Sequence, residues 1–579
     1  MLRRIGIGVK PAGLFGVMVL LLYGIMTGMS VSTCRAIGMY VIRMFGEIVG
    51  RTYDGMTSVA AIGAIMVCVN PYYLTNCGFL LSYGAILGIY IVYPMFEELD
   101  AKMDGKMKTK IGGTSFARKE WIKTLRASIG SSLSVTLATL PIQLWFFYEI
   151  PVYSILLNLL VVPLMTVVMV GGLLSIFLPI GNEIVAYLPY GILKWYEYIC
   201  NVFDGLPFHT WNPGKPEVWQ VVVYYVLLFV VVKWKCWGKF FEYVKKWKTW
   251  NNVLLHVEKN EIFKKLQGYL EKLAIYMQGA RTSKIAQYGV LTMAVIILGN
   301  APNTGNMLTI LDVGQGDGIC LETKTGEVYL FDCGSTSRSG IGEYVLMPFL
   351  KYRGIHHVDA IFISHPDEDH CNGILELLAL AEEEHIIIDR IVLPAIAEVG
   401  RTQAFADIWS TVEEYDCKGT SENPTLVQYI GSGDSWKVGD WEFTCLHPRK
   451  GTTLDDANAY SQCFYVEDSN DFCMLLTGDV EKEGEEELLR ELVERNIRYI
   501  TILKVPHHGS RYSSSDAFLE QIRPKVAIIS CGESNRYGHP HAETLDRLES
   551  VGSQVLTTPE YGAITVKMKK EIEIFGYKR

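Results

Sequence analysis

Ser364-His365-Pro366-Asp367-Glu368-Asp369-His370 crowds imidazole and carboxylate groups into one short segment. Ahead of it runs Val358-Asp359-Ala360-Ile361-Phe362-Ile363, an apolar stretch of strand length, and behind it Asn372-Gly373 leads into the helix-like Ile374-Leu375-Glu376-Leu377-Leu378. The segment is therefore a strand-to-helix loop. At a sheet edge such a loop can turn nitrogen and oxygen ligands toward one point and hold one or two divalent cations. The plain alternative, several adjacent charges left solvated, is disfavoured because clustered ionisable groups are costly unless they coordinate or pair.

Working outward, the chain of 579 residues is too long for one core. Its 49% hydrophobic content and mean hydropathy of +0.19 are high for a wholly soluble protein. The apolar residues are unevenly placed. Stretches near membrane-spanning length fall at Pro11 to Ser30, Gly55 to Leu74, Cys77 to Phe96, Ser128 to Phe147, Val152 to Leu178, Ile184 to Val202, Val218 to Val232 and Ile285 to Leu298. Beyond residue 300 the pattern changes to short strands and amphipathic helices divided by Gly, Asn and Asp turns. The expectation is a polytopic helical membrane domain over 1–300, of seven or eight helices, followed by an α/β domain over 301–579.

Asn70-Pro71 and Asn158 to Pro163 interrupt two spans, which suggests broken helices lining a polar path or ordinary kinks packed on neighbours. Val31 to Arg51, with Arg35, Arg43 and Arg51, reads as an interfacial or re-entrant segment. Lys and Arg concentrate in Lys102 to Arg126 and Lys233 to Lys248, and basic connections belong in the cytoplasm. Counting from the second, Ile285 to Leu298 crosses outward and places the α/β domain on the extracytoplasmic side. The aromatic clusters Trp145 to Tyr148 and Trp195 to Tyr198 read first as interfacial belts. The Trp-rich basic run at Lys233 to Lys248 reads first as a helix at anionic lipid. Thirteen cysteines without a close pair support neither a zinc ribbon nor a thioredoxin-like motif. A net charge of −9 gives no general affinity for a polyanion, so nucleic-acid binding would have to come from local basic patches.

In the second half, strand signals at Met307 to Val313, Val328 to Asp332, Val358 to Ile363, Phe472 to Thr477, Tyr499 to Val505 and Lys525 to Ser530 mix with a helical one at Glu481 to Val493. Two sheets covered by helices are expected. Polar groups gather where strands end. Asp312 to Asp317 and Phe331-Asp332-Cys333-Gly334 are Gly-containing acidic turns, either tight turns alone or supports behind a metal site. Leu476-Thr477-Gly478-Asp479 ends a strand on a carboxylate, Lys504-Val505-Pro506-His507-His508-Gly509-Ser510 on imidazoles, and Tyr537-Gly538-His539-Pro540-His541 repeats the pattern.

Together these motifs resemble the metallo-β-lactamase fold, an αββα sandwich with a His-x-His/Asp-x-Asp-His loop, a distant Asp and a distant His. With the runs at His507 to Ser510 and Tyr537 to Pro540, the second half is similar to the C-terminal domain of the ComEC competence family of DNA-uptake channels. Arg35-Ala36 and Asn70-Pro71 followed by Cys77-Gly78-Phe79-Leu80-Leu81-Ser82-Tyr83 carry the same resemblance in the first half. That family has earlier membrane segments and an OB-like domain ahead of its channel region, so this chain is expected to be a fragment or truncated product.

The resemblance implies a membrane channel for single-stranded DNA coupled to a nuclease that degrades the other strand. It implies metal ligands at His365, Asp367, Asp369, His370, Asp479, His508 and His539, with His507 supporting them or contacting phosphate. Asp369 is expected also to orient the attacking water, and Lys504, Ser510 or Arg536 to contact phosphate oxygens. Two divalent ions are expected; an aspartate at 367, where many relatives have histidine, favours Mn²⁺, with Zn²⁺ or Mg²⁺ as alternatives. The third ligand histidine of many such hydrolases has no clear counterpart between Leu446 and Phe472, where His447 and Asn458 are both possible occupants. DNA, membrane lipid and proteins of the uptake machinery are the expected partners, and an oligomer is possible. The competing reading is a membrane-anchored phosphodiesterase acting on a lipid or cell-wall substrate; a third is a channel with a vestigial metal site.

Overall fold

A computed structural model describes residues 8–97, 116–177, 182–234, 282–300, 305–417, 425–454, 456–469, 472–568 and 572–578. The chain divides into two units, Met1–Ala301 and Pro302–Arg579.

The first unit is helical: Val9–Met26, Val31–Val49, Gly55–Val69, Cys77–Leu87, Phe116–Phe147, Ser154–Phe177, Asn182–Asp204, Val218–Val232 and Thr282–Gly299. Among the described residues, Cys77–Glu97, Trp121–Phe147 and Ser154–Gly172 are long and apolar enough to cross a membrane, and four shorter apolar helices accompany them. Gly55 to Leu74 is not one span. The helix ends at Val69, a 3₁₀ turn covers Pro71–Thr75, and a new helix starts at Cys77. Asn70 and Asn76 cap these starts, their side-chain oxygens accepting from Tyr72 N at 3.1 Å and Phe79 N at 3.0 Å. Pro163, in contrast, sits inside an unbroken Ser154–Phe177, so of the two alternatives there the helix is continuous and not broken. Arg35, on the amphipathic helix Val31–Val49, donates to the Ser82 carbonyl at 3.1 Å, which ties that helix to the one bearing the Cys77–Tyr83 motif. Gln220 Nε2 donates to the Ile297 and Asn300 carbonyls at 2.6 and 2.7 Å and fastens Val218–Val232 to Thr282–Gly299. Of the two basic segments, 102–115 and 235–248 lie outside the described residues.

Besides a short parallel pair, His357–Val358 with Ile387–Ile388, the second unit holds two mixed sheets. Their strands are β1 Asn306–Ile310, β2 Gly318–Glu322, β3 Val328–Cys333, β4 Ala360–Phe362, β5 Arg390–Pro394, β6 Leu426–Ile430, β7 Ser435–Val438, β8 Trp441–His447, β9 Cys463–Asp468, β10 Cys473–Leu476, β11 Ile502–Lys504, β12 Val526–Ile529, β13 Gln554–Thr557, β14 Ile564–Met568 and β15 Ile572–Gly576. One sheet has the order β6-β5-β4-β3-β2-β1-β14-β15 and the other β7-β8-β9-β10-β11-β12-β13. In each, one part is parallel (β6-β5-β4-β3 and β10-β11-β12-β13) and the rest antiparallel.

Alternation along the strands assigns their faces. Leu308, Ile319, Phe331 and Phe362 from one sheet meet Phe443, Phe464, Met474 and Ile528 from the other in a buried core between the sheets. Val328, Leu330, Ile361 and Ile391 point outward and pack with Ile374 and Leu377 of helix Glu368–Leu380 and Phe405 and Ile408 of helix Gln403–Cys417. Leu475, Leu503 and Ala527 pack likewise on Leu488 and Leu492 of helix Glu483–Glu494 and on Phe518 and Leu548. These are four layers, helix on sheet on sheet on helix, as the motifs led us to expect. The parallel parts matter most for function, because their strands end in loops on the same edge of the sheet.

Candidate metal centre

His365 and His370 follow β4, Asp332 ends β3, Asp479 follows β10, and His507 and His508 follow β11. Strand order pairs the ends of β3 and β4 in one sheet and those of β10 and β11 in the other, and the packing of the two sheets brings the pairs together. The loop between β1 and β2 adds Asp317, whose amide donates to the Asp369 carbonyl at 3.1 Å. Room for that contact depends on glycine: a Cβ on Gly316 (φ +151°) would lie 2.2 Å from the Gly334 carbonyl oxygen and 2.6 Å from that of Asp369. His507 and His508 both have left-handed backbone, φ +47° and +53°, a strained turn that presents both rings from one point.

Each imidazole is anchored at Nδ1 and turns Nε2 inward. His370 Nδ1 meets Asp332 Oδ2 at 3.0 Å, and Asp332 Oδ1 accepts from Ser364 N at 2.7 Å. His508 Nδ1 donates to the Ser530 carbonyl at 2.9 Å. His507 Nδ1 meets Glu481 Oε2 at 2.8 Å, and His365 Nδ1 lies 3.0 Å from Ser364 Oγ and 3.2 Å from Ser461 Oγ. The opposite nitrogens converge on Asp479 Oδ2: His508 Nε2 at 3.2 Å, His370 Nε2 at 3.3 Å and His507 Nε2 at 3.9 Å. Asp369 Oδ2 is 3.6 Å from His508 Nε2. This is the outer support by which a metal-binding histidine is fixed in one tautomer.

The ligand atoms of His365, His370 and Asp479 lie within 4.8 Å of one another, as do those of Asp369, His370 and His508, and those of Asp317, Asp479 and His508. Among the described residues, His370 Nε2, His508 Nε2 and Asp479 Oδ1 are buried without a hydrogen-bond partner. Buried polar atoms of that kind require a partner of some sort, and mixed imidazole and carboxylate donors suit a divalent cation. The electrostatics agree. Burial would lower His370 and His508, but the carboxylates facing them, Asp479 foremost, hold both well above the ordinary imidazole value. Burial would raise Asp479, and His508 and His370 outweigh it and hold that carboxyl well below its usual range. His365, where burial dominates, is pushed down to about 3 and stays a neutral donor.

Other expected residues stand differently. Asp367 is half-exposed, its Oδ2 3.6 Å from His365 Nε2. His539 sits at the rim, its ring centroid 5.5 Å from that of His507 and 6.2 Å from that of His508, and belongs to none of the tight ligand groups. Lys504 does not face the opening. It is buried, with Nζ 2.5 Å from Asp317 Oδ2 and 3.0 Å from the Val505 carbonyl, so the expected phosphate contact is not available to it. Ser510 is likewise buried, its Oγ accepting from Tyr512 N at 3.2 Å, whereas Arg536 lies over the Tyr537 ring at 4.8 Å.

His447 is buried with its Nε2 2.8 Å from the Ala459 carbonyl and, among the described residues, joins no ligand group. Ser461 stands beside His365 instead, its hydroxyl also accepting from Asp479 N at 3.3 Å. Ser461, Glu481 and Ser530 were not legible beforehand. A serine leaves no ligand signature, and only the position of Glu481 two residues past Asp479 pointed to it.

Residues 1–237 match the family model for competence proteins and residues 311–533 that of the metallo-β-lactamase superfamily. ComE operon protein 3 of Bacillus subtilis is 25% identical over 99% of this chain, and recombination protein 2 of Haemophilus influenzae is 24% identical over 95%. The chain spans 66% and 63% of the lengths of those two relatives. Among solved structures, the metallo-β-lactamase fold protein YhfI of Bacillus subtilis aligns with 44% of this chain and 96% of its own, at 13% identity and a TM-score of 0.29.

Proposed function

We propose that this chain, which matches the competence-protein model over residues 1–237 and the metallo-β-lactamase model over residues 311–533, internalises DNA. In this reading the helical unit passes one strand across the membrane. The second unit, on the extracytoplasmic side, hydrolyses phosphodiester bonds of the strand left behind. The observation that carries the hydrolase reading is the convergence of Asp369, His370, Asp479 and His508, with orphaned buried ligand atoms, at the ends of parallel strands.

Asp369, His370, Asp479 and His508 would hold one cation, and His365 and Asp367, sharing Asp479, a second. His539, with its ring 6.2 Å from that of His508, would approach the first set from the rim. Equal numbers of carboxylate and imidazole ligands favour Mn²⁺: the carboxylates weigh against Zn²⁺ and the imidazoles against Mg²⁺. When bound, such ions neutralise phosphate charge and lower the pKa of water. The chain's own residues supply the rest. Asp369 accepts the proton of the attacking water. His507, held at Nδ1 by Glu481, keeps a proton at Nε2 for the departing oxygen. Burial lowers the pKa of that imidazole, but Asp479 and Glu481 raise it above the ordinary value, as a proton donor requires. Arg536 at the rim contacts a neighbouring phosphate. Lys504 acts from beneath by fixing Asp317.

The test is the full chain in detergent with Mn²⁺ and end-labelled single-stranded and duplex DNA. Cleavage by wild type and its loss, by at least about a hundredfold, in Asp369→Ala are expected. Wild type inert on both substrates with Mn²⁺, Mg²⁺ and Zn²⁺ would reject the nuclease.

A further inference from the structure

Two apolar hollows open side by side along helix Val218–Val232. One, of about 510 Å³, is lined by Leu80, Pro141, Trp145, Phe146, Val218 and Val222 among others. The next, of about 430 Å³, is lined by Val221, Val222, Tyr225, Val226, Phe229 and Val230. Val221 and Val222 line both, so the hollows form one groove from Val218 to Val230.

The groove's length carries information. Twelve residues of helix rise about 18 Å. Half of a hydrocarbon core about 30 Å thick is about 15 Å. The groove is therefore as long as the acyl region of one leaflet. Its walls are aliphatic and aromatic, and the Tyr225 hydroxyl is turned away to the Ala138 carbonyl at 3.0 Å, leaving the ring to face the hollow. Val222, Val226 and Phe229 remain exposed, so none of the described residues closes the groove. Apolar walls without a row of cations do not suit a polyanion, which separates this groove from any path for DNA.

A cation marks one end. Lys215 stands three residues before the helix begins at Val218, and its Nζ is 4.4 Å from the ring centroid of Trp145, which lines the first hollow. An ammonium held over an indole at the start of an apolar groove is placed for a phosphate at the membrane–water boundary.

We propose that this groove binds one phospholipid molecule, with an acyl chain along Val218–Val230 and the phosphate at Lys215. Native mass spectrometry of the detergent-purified full chain, titrated with phosphatidylglycerol, tests it. One adduct per wild-type chain is expected. V222W/V226W keeps the helix apolar but fills the groove and should weaken the adduct more than tenfold. K215Q removes one charge and should weaken it about fivefold, and diacylglycerol, lacking the phosphate, should bind wild type and K215Q alike. Should V222W/V226W elute aggregated, K215Q and the diacylglycerol comparison carry the test alone. The proposal is overturned if wild type carries no phospholipid adduct, if K215Q binds phosphatidylglycerol as wild type does, if V222W/V226W does so, or if two chains cross-link through Val226 in place of lipid.

Discussion

Replacing Asp332 with Asn tests the metal centre without removing a ligand. Asp332 is 4% exposed and uses both oxygens: Oδ1 accepts from Ser364 N at 2.7 Å, and Oδ2 holds His370 Nδ1 at 3.0 Å. Asparagine keeps the shape but has one acceptor and one donor group. With its oxygen toward Ser364 N, its NH₂ faces Nδ1, and His370 must give up the Nδ1 proton and carry it on Nε2. That nitrogen points at Asp479 from 3.3 Å and, once protonated, cannot bind a cation. With the amide flipped, the NH₂ confronts the Ser364 amide instead, and a buried donor goes unpaired. Either orientation loses one partnership. Disturbing such outer support costs about 10- to 100-fold in metal affinity, or about 1.4–2.7 kcal/mol. The assay is isothermal titration of Mn²⁺ into the metal-stripped full chain, wild type against Asp332→Asn, with thermal melting of the stripped forms as the control for folding. Equal Mn²⁺ affinity, within twofold, in a variant that melts like wild type would refute the argument that Asp332 sets the His370 tautomer.

Further outcomes follow from the same unit. Arg353 Nε and Nη2 grip Glu322 at 2.8 Å each, both side chains largely buried, so Arg353→Met should cost about 3 kcal/mol by stranding a carboxylate; urea unfolding followed by tryptophan fluorescence checks this, and adding Glu322→Leu should restore most of the loss. Gly316→Ala should cost more than about 2 kcal/mol, since its Cβ meets two carbonyl oxygens in a backbone region that L residues avoid, and should weaken Mn²⁺ binding by displacing Asp369. His447 is pushed down to about 4 by burial, below its unfolded value of 6.5, so the unfolded chain takes up the proton first. Its contribution is present in full above about pH 6.5 and lost as pH falls toward 4, about 3 kcal/mol in all. His447→Gln should flatten that part of the stability profile relative to wild type, as parallel urea titrations at pH 7, 5.5 and 4.5 would show.

The fold was legible because its signals are local. Period-two alternation, Gly turns and the His365–His370 loop mark strands ending in ligands, and long apolar runs mark helices suited to a bilayer. Where local signals left alternatives open, tertiary context decided between them. Pro163 sits inside a continuous helix, while Asn70 ends a helix because its side chain caps the next turn.

What the amino-acid order determined by itself was the inventory: which side chains can bind a cation, and that each stands just past a strand. Only the folded arrangement decided their roles. Parallel pairing of β10 with β11 put Asp479 beside His508, and β3 beside β4 put Asp332 behind His370. The same packing turned Lys504 inward to Asp317 and placed Ser461 where a third imidazole was sought. Ligand spacing along a chain is a property of residues, whereas the direction of a side chain depends on what packs on the far side of its strand, and no local pattern encodes that.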